Sequence, residues 1–151
     1  MTESPDDSAT GRSSSLTTRA YALFAVALAL GLAHHVDHVV RGNHVGWPIT
    51  PSVNPFTYSL VIYPLVVIGF VLSLTGRAGA RYWTAIMTLG GLMLVFFHLS
   101  PWAVEPPTDV ILPYADPLWG YAAFAILLAL IACVFAGAGY TFLLWRREST
   151  R

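Results

Sequence analysis

Four long apolar stretches constrain this chain more than any other feature of its sequence. They run over about residues 20–40, 57–75, 82–99 and 118–145. A helix needs about 20 predominantly apolar residues to cross the hydrocarbon core of a bilayer, with a range of about 17–25. Because a backbone in lipid must satisfy its own hydrogen bonds, the stretches predict an all-α polytopic membrane protein. Its domain is a bundle of four transmembrane helices over residues 19–147.

The composition excludes most soluble classes of protein. Hydrophobic residues make up 56% of the 151 residues and charged residues only 11%, whereas soluble domains carry about 25% charged residues. This shortage of charge excludes an ordinary soluble enzyme and a disordered chain, and it makes the lipid bilayer the expected partner. A net charge of zero without a long basic run excludes a nucleic-acid-binding protein. The single cysteine, Cys133, excludes an internal disulfide.

The arginines predict how the bundle is oriented. All eight basic residues are arginine, and seven lie in the two terminal segments or in the tight loop between the second and third spans. Arg41 alone lies on the opposite side. The positive-inside rule therefore predicts a multi-pass protein of the cell membrane with both termini in the cytoplasm. Tryptophans near the span ends, with Trp83 and Trp145 at the inner ends, are typical of an interfacial aromatic belt.

The segments outside the spans also carry predictions. Residues 1–18 are rich in Ser, Thr and Asp, which predicts a disordered cytoplasmic tail, and residues 148–151 form a second, short tail. Three prolines over residues 42–56 favour an ordered or extended strap over a helix. Pro64 is expected to kink the second span. The small residues at 31–33 leave cleavage of the first span as an alternative, although the apolar pattern resumes after them.

The informative segment lies at the end of the first span. Four of the five histidines fall within eleven residues, at His34, His35, His38 and His44. On a helix with about 100° per residue, His34 and His38 lie one above the other, and Asp37 shares their face. Because ionisable groups within a membrane are costly and usually face the bundle interior, we expect this face to form a polar site.

The fifth histidine, His98, ends the third span at a matching height. It lies 17 residues after Arg81, about 25 Å along a helix that rises 1.5 Å per residue. His34 and His38 lie about 22 and 28 Å beyond Arg19 by the same rise. If both arginines mark the inner interface, imidazoles from two separate spans reach one level near the outer surface.

We interpret this arrangement as an outward-facing site for a transition-metal ion, because imidazole suits zinc, copper and iron. The predicted ligands are His34, His38 and His98, and the secondary candidates are Asp37, His35 and His44. Asp37 could orient a ligand histidine, bind the ion itself, or act as a base if the site is catalytic. Whether the protein is an enzyme stays open, and the His-Glu-x-x-His signature of zinc proteases is absent.

Two other functions remain as hypotheses. One is a redox protein with a b-type haem between spans one and three, in which His98 and either His34 or His38 are the axial ligands and Gly31 and Gly91 leave room for the porphyrin. The other is non-enzymatic: a small membrane subunit, a carrier, or a sensor of pH or metal. Against a conducting pore, the inner two-thirds of spans one and three carry threonine as their only polar residue.

Purely structural roles are the alternative for these residues. The histidines could bond to backbone carbonyls, and Asp37 with Arg41 could form an ion pair at the helix end, where Gly42 is typical of a helix C-cap.

Tyr63 could approach the site from the second span. A series of alanines in the fourth span predicts a packing face, either within the bundle or between protomers of a homo-oligomer or larger membrane complex; its members are Ala125, Ala129, Ala132 and Ala136.

Overall fold

The computed structural model describes residues 16–42 and 53–150, and no β-strand occurs among them. The helices in chain order are α1 (Thr18–Arg41), α2 (Pro55–Ser59), α3 (Ile62–Leu74), α4 (Ala80–Leu99), α5 (Pro107–Ile111) and α6 (Pro117–Ser149). Four stretches are long and apolar enough to span a membrane: α1, α4, α6, and α2 with α3 together. This confirms the predicted all-α architecture with four helices of that kind.

The ends of α1 are set by capping residues. Thr17 accepts a hydrogen bond from the Ala20 N–H at 3.3 Å, and its hydroxyl lies 2.9 Å from that of Tyr140. The chain is packed from Leu16 onward. Residues 1–15 lie outside the described part of the chain, and the predicted tail stays a prediction. At the other end, Gly42 adopts φ 66°, the left-handed conformation of a helix C-cap, as predicted.

The second span is interrupted before Pro64. A proline has no N–H, so the Leu60 carbonyl four residues earlier cannot receive a helical hydrogen bond from it. The Tyr63 N–H donates to that carbonyl instead, at 3.1 Å, and α2 and α3 are separated at this point. Upstream, a capping box between Asn54 and Thr57 starts α2 within the loop that was expected to be non-helical.

The central helix is α6, which packs against α1, α4 and α5. Its buried face includes Gly120 and Gly137, where an added Cβ would clash with Ile111 and Met87 respectively, so glycine permits the close approach of α5 and α4. The alanine series predicted as a packing face is exposed on the other side of α6. A role within the bundle is therefore wrong, and contact between protomers stays a prediction. The helix also continues to Ser149, into the predicted short tail.

The two ends of the bundle differ in chemistry. At one end, which we call the tryptophan end, Trp83 is fully buried, stacks on Phe24 with ring centroids 4.0 Å apart, and donates its indole N–H to Ser73 at 2.9 Å. Trp83 packs inside the bundle, where α1 and α3 enclose the ring, and its expected depth at the inner interface stays a prediction. At the other end, α1 and α4 both finish and bring together His34, His38 and His98. We call this the histidine end, and these three residues the histidine group.

Candidate metal centre

The histidine group brings imidazoles from two helices to one place. Each residue offers one ligand nitrogen, and the three nitrogens lie within 4.8 Å of one another. The Nε2 atoms of His34 and His38 are 3.2 Å apart, and the ring centroids of His34 and His98 are separated by 4.9 Å. The expected convergence of rings from the first and third spans is therefore confirmed, and the group could hold a metal ion.

A loop after α4 sets the orientation of His98. The chain turns back at the helix end, so that the Glu105 N–H donates to the Phe97 carbonyl at 3.1 Å. The Nδ1 atom of His98 lies 3.1 Å from the Glu105 carbonyl oxygen. Because a carbonyl only accepts hydrogen bonds, this contact places the proton of a neutral His98 on Nδ1. The Nε2 atom of the ring is then left with the lone pair that a metal ligand requires.

The residues present fit a metal ion. His34 and His98 are 3% and 5% exposed, and Nδ1 of His34 is buried without a hydrogen-bond partner among the described residues. A tetrahedral ion with metal–nitrogen distances of about 2.0–2.1 Å holds neighbouring ligand nitrogens about 3.3 Å apart. The separation of 3.2 Å between the His34 and His38 Nε2 atoms is close to that value, and the group as a whole, with its nitrogens within 4.8 Å of one another, would contract slightly around an ion.

Glu105 lies against the histidine group, and the sequence analysis did not predict it there. Its Oε2 lies 3.2 Å from His38 Nε2 and 3.4 Å from His98 Nδ1, and its side chain is 7% exposed. Burial raises the pKa of Glu105, and the hydrogen bond from Arg41 opposes that shift. Its position seven residues after His98, in a loop leaving the same helix end, was the available signal.

Arg41 connects this loop to α1 through hydrogen bonds. Its side chain is 1% exposed. Nε and Nη2 each lie 2.8 Å from Oδ2 of Asp37, while Nη1 donates to Glu105 Oε1 at 2.6 Å and to the Asp109 carbonyl at 2.8 Å. The ion pair between Asp37 and Arg41 is therefore present, and it is one part of a network that covers the histidine group.

Asp37 lies in this network and does not belong to the histidine group. Its Oδ2 receives the guanidinium of Arg41, and its Oδ1 accepts a hydrogen bond from the Tyr114 hydroxyl. Burial, followed by the hydrogen bond to Asp37, raises the pKa of Tyr114 to about 12. The place beside the histidines that was predicted for Asp37 is taken by Glu105.

His35 faces the second span. Its Nε2 lies 3.0 Å from Ser59 Oγ, and its Nδ1 lies 2.8 Å from the Tyr63 hydroxyl and 2.9 Å from the Gly31 carbonyl. Since Ser59 donates its own proton to the Phe56 carbonyl, it accepts from His35 Nε2. His35 thus links α1 to the second span and stands outside the histidine group, while His44 lies outside the described residues.

A cavity of about 230 Å³ adjoins the histidine group. Its lining extends from Phe24 and Trp83 at the tryptophan end to His34, His38 and His98 at the other. Most of the side chains between them are apolar and come from α1, α3, α4 and α6. The candidate centre therefore lies at the polar end of an apolar chamber.

The three rings of the histidine group could hold a metal ion. A zinc ion held by three histidines keeps a further coordination position, and the neighbouring Glu105 could bind there or orient a ligand ring. The centroid of the His98 ring lies 4.9 Å from that of His34 and 6.0 Å from that of His38, and the haem alternative stays a prediction.

Comparisons with protein-family models, with curated proteins and with solved structures return no match. Function is therefore inferred from the residues and their geometry alone.

Proposed function

We propose that the chain is an integral membrane protein that binds a transition-metal ion through His34, His38 and His98. The observation that carries this proposal is the convergence of three imidazole nitrogens, from two separate helices, within 4.8 Å. Ionisable side chains in an apolar bundle are costly and typically mark functional sites. Ligation supplies a strong interaction for each ring, and zinc, copper and iron are the ions that neutral imidazoles favour.

We further propose that the histidine end faces the outside of the cell membrane. The support is the distribution of basic residues, since Arg41 is the single arginine at the histidine end and the other seven precede or follow the spans at the opposite end. The four helices of membrane-spanning length support insertion into a bilayer. Both termini are then cytoplasmic.

Glu105, and not Asp37, would orient a metal-binding histidine. Its carbonyl oxygen and carboxylate both face Nδ1 of His98, and such contacts fix the orientation and increase the basicity of a metal-binding ring. The same centre would serve an enzyme, a metal carrier or a sensor. Metal binding is the property that these have in common, and it is the property to test first.

Metal content of the purified protein tests the proposal. We expect about one zinc, copper or iron per chain by elemental analysis after reconstitution and removal of loose metal. The His34→Ala, His38→Ala and His98→Ala variants should each bind the ion at least a hundredfold more weakly. His35→Ala is the matched control, because His35 is on the same helix but bonds to the second span. It should retain the metal.

Two results would overturn this proposal. One is wild-type protein that takes up no stoichiometric metal, and the other is His35→Ala protein that loses as much metal as the His34→Ala variant. An absorption spectrum of the same samples covers the haem alternative, since a Soret band that disappears in the His98→Ala variant would replace the ion by a haem.

A further inference from the structure

The cavity beside the histidine group is larger than an ordinary packing defect. Protein interiors contain few voids larger than a water molecule. An engineered apolar cavity of about 150 Å³ binds benzene or xenon, whereas this cavity has a volume of about 230 Å³. A chamber of this size in a bundle that the remaining helices pack closely is expected to have an occupant.

The cavity lies between α1 and α3, which meet on either side of it. Towards the tryptophan end, Phe70 of α3 stacks on Tyr21 with ring centroids 6.0 Å apart and packs edge-on against Phe24. Towards the histidine end, His35 bonds to Ser59 and Tyr63. The space between these two levels is bounded on the far side by α4 and α6.

The α3 wall of the cavity is the part of the bundle that is least embedded. Gly69 is the one buried residue of α3, whereas Val67, Ile68 and Val71 are each more than half exposed. In a bilayer this helix is covered by lipid on its outer side. A molecule from the membrane therefore needs to displace only one loosely held helix to reach the chamber.

The lining of the cavity is polar at one end and apolar along the rest. His34, His38 and Glu105 form the polar end, together with Ser59 and Tyr63 on the second span. Phe24 and Trp83 close the other end. Phe24 precedes His34 by ten residues, so the apolar part extends about 15 Å along α1. This distribution matches a chain of hydrocarbon that ends in a polar group.

We propose that the cavity binds a single-chain amphiphile from the membrane, with its hydrocarbon chain in the apolar part and a terminal oxygen donor, such as a carboxylate, at the histidine group. The position of the polar end rests on the proposed metal site. The binding of the chain requires the cavity alone, so the two proposals can fail separately.

Two glycines allow the cavity to be filled by design. Gly31 and Gly90 both line it, and a Cβ added at either residue would meet no atom within 4 Å. A leucine at residue 31 therefore projects into free space. Gly139 on α6 is equally open and exposed, but it does not line the cavity. Gly139→Leu is thus a matched control for Gly31→Leu, and Gly90→Leu is a second filling variant.

The experiment measures binding of cis-parinaric acid, a fluorescent fatty acid, by energy transfer from tryptophan in detergent micelles. Wild-type protein and the Gly139→Leu variant should show saturable binding of about one probe per chain that oleic acid displaces. Gly31→Leu should weaken this binding at least tenfold. Gly90→Leu should do the same, and it replaces Gly31→Leu if that variant does not fold. Metal content is determined on the same samples.

The outcomes separate the two proposals. Saturable binding that Gly31→Leu and Gly90→Leu leave unchanged, or an absence of saturable binding to wild-type protein, overturns the amphiphile site whatever the metal content. Probe binding that the filling variants abolish supports the amphiphile site. If the wild type holds no metal, this result supports only the binding of the hydrocarbon chain in the cavity. Retention of metal by Gly31→Leu excludes general damage to the bundle as the cause.

Discussion

The two ends of the bundle are held together by different kinds of contact. At the tryptophan end, aromatic rings stack, and polar groups are satisfied within or between adjacent helices. Thr141, for example, donates to the Gly137 carbonyl at 2.9 Å and lies 3.0 Å from the Thr84 hydroxyl. At the histidine end, the imidazoles of His34 and His98, two carboxylates and the guanidinium of Arg41 are buried together, and the His38 ring is partly buried.

The comparison distinguishes the packing contacts that a helical bundle needs in order to fold from the buried polar network, which folding does not require. Packing of small and aromatic residues is sufficient to hold membrane helices together. Buried ion pairs, by contrast, can often be replaced by apolar residues of similar volume without loss of stability. The polar network is therefore expected to serve the histidine group, and the loop that carries Glu105, Asp109 and Tyr114 is part of the site.

The largest effect is expected from Arg41→Met. Removing one partner from a buried ionic network leaves its carboxylates uncompensated and costs about 3–5 kcal/mol, so Asp37 and Glu105 should destabilise the variant by that amount. Denaturant unfolding in detergent measures it. Arg81→Met at the tryptophan end is the control, because Arg81 is exposed and its guanidinium lies over the Trp145 ring, 5.7 Å from the centroid. It should change stability by less than about 1 kcal/mol. Equal losses of stability in the two variants would contradict the difference between the two ends of the bundle.

Trp83→Ala tests the opposite end. Deleting a buried tryptophan costs about 3–5 kcal/mol in soluble proteins, and we expect about 3 kcal/mol here, since lipid or detergent removes the hydrophobic part of the driving force. Metal affinity should stay within about twofold of the wild type, because Trp83 lies fifteen residues before His98 on α4. A tenfold weaker metal affinity would mean that the two ends are coupled.

Glu105→Gln should weaken metal binding more than it lowers the stability of the fold. Loss of a carboxylate that orients a ligand histidine typically weakens metal binding tenfold to a hundredfold. That range corresponds to about 1.4–2.8 kcal/mol of binding free energy. A competition titration with a chelator measures this affinity. Asp109→Asn is the matched control in the same loop, because its side chain is exposed and its contact with Arg41 is through the carbonyl oxygen. An unchanged affinity in the glutamine variant would remove Glu105 from the site.

The convergence of the histidine group could be predicted because helices have a fixed geometry. The spacing of His34 and His38 places them on one face, and a constant rise per residue converts the position of His98 into a height. The break in the second span follows equally from the missing N–H of Pro64. In each case the relevant interaction lies within one helix or depends only on helix length.

The other features of the fold and the site could not be predicted, because they depend on contacts with residues distant in sequence, which local patterns do not specify. A proline-containing loop can turn in several directions, so nothing near Glu105 indicates that it folds back over His98. Trp83 lies near a span end like an interfacial tryptophan, and only its stacking with Phe24 decides that it is buried. Alanines and glycines on α6 are equally small, but the close approach of Met87 and Ile111 selects the face with Gly120 and Gly137.

The smallest effect is expected from Tyr114→Phe, which removes the hydroxyl that donates to Asp37. A buried hydrogen bond to a charged group contributes about 1.5–3 kcal/mol. Because Tyr114 is only partly buried, the variant should lose less, about 1 kcal/mol near pH 8. Tyr121→Phe is the control, since Tyr121 is 61% exposed, and it should change stability by less than about 0.5 kcal/mol. Unfolding free energies in detergent measure both differences.

The same hydrogen bond also has a predictable pH dependence. The pKa of Tyr114 is raised to about 12 in the folded protein, from an ordinary value of 10.0. The fold therefore favours the neutral phenol, and its contribution to stability is fully present below about pH 10 and decreases as the pH rises towards 12. The stability difference between wild-type protein and the Tyr114→Phe variant should shrink across this interval. A difference that is the same at pH 8 and pH 12 would contradict the expected loss of the Tyr114 proton across this interval.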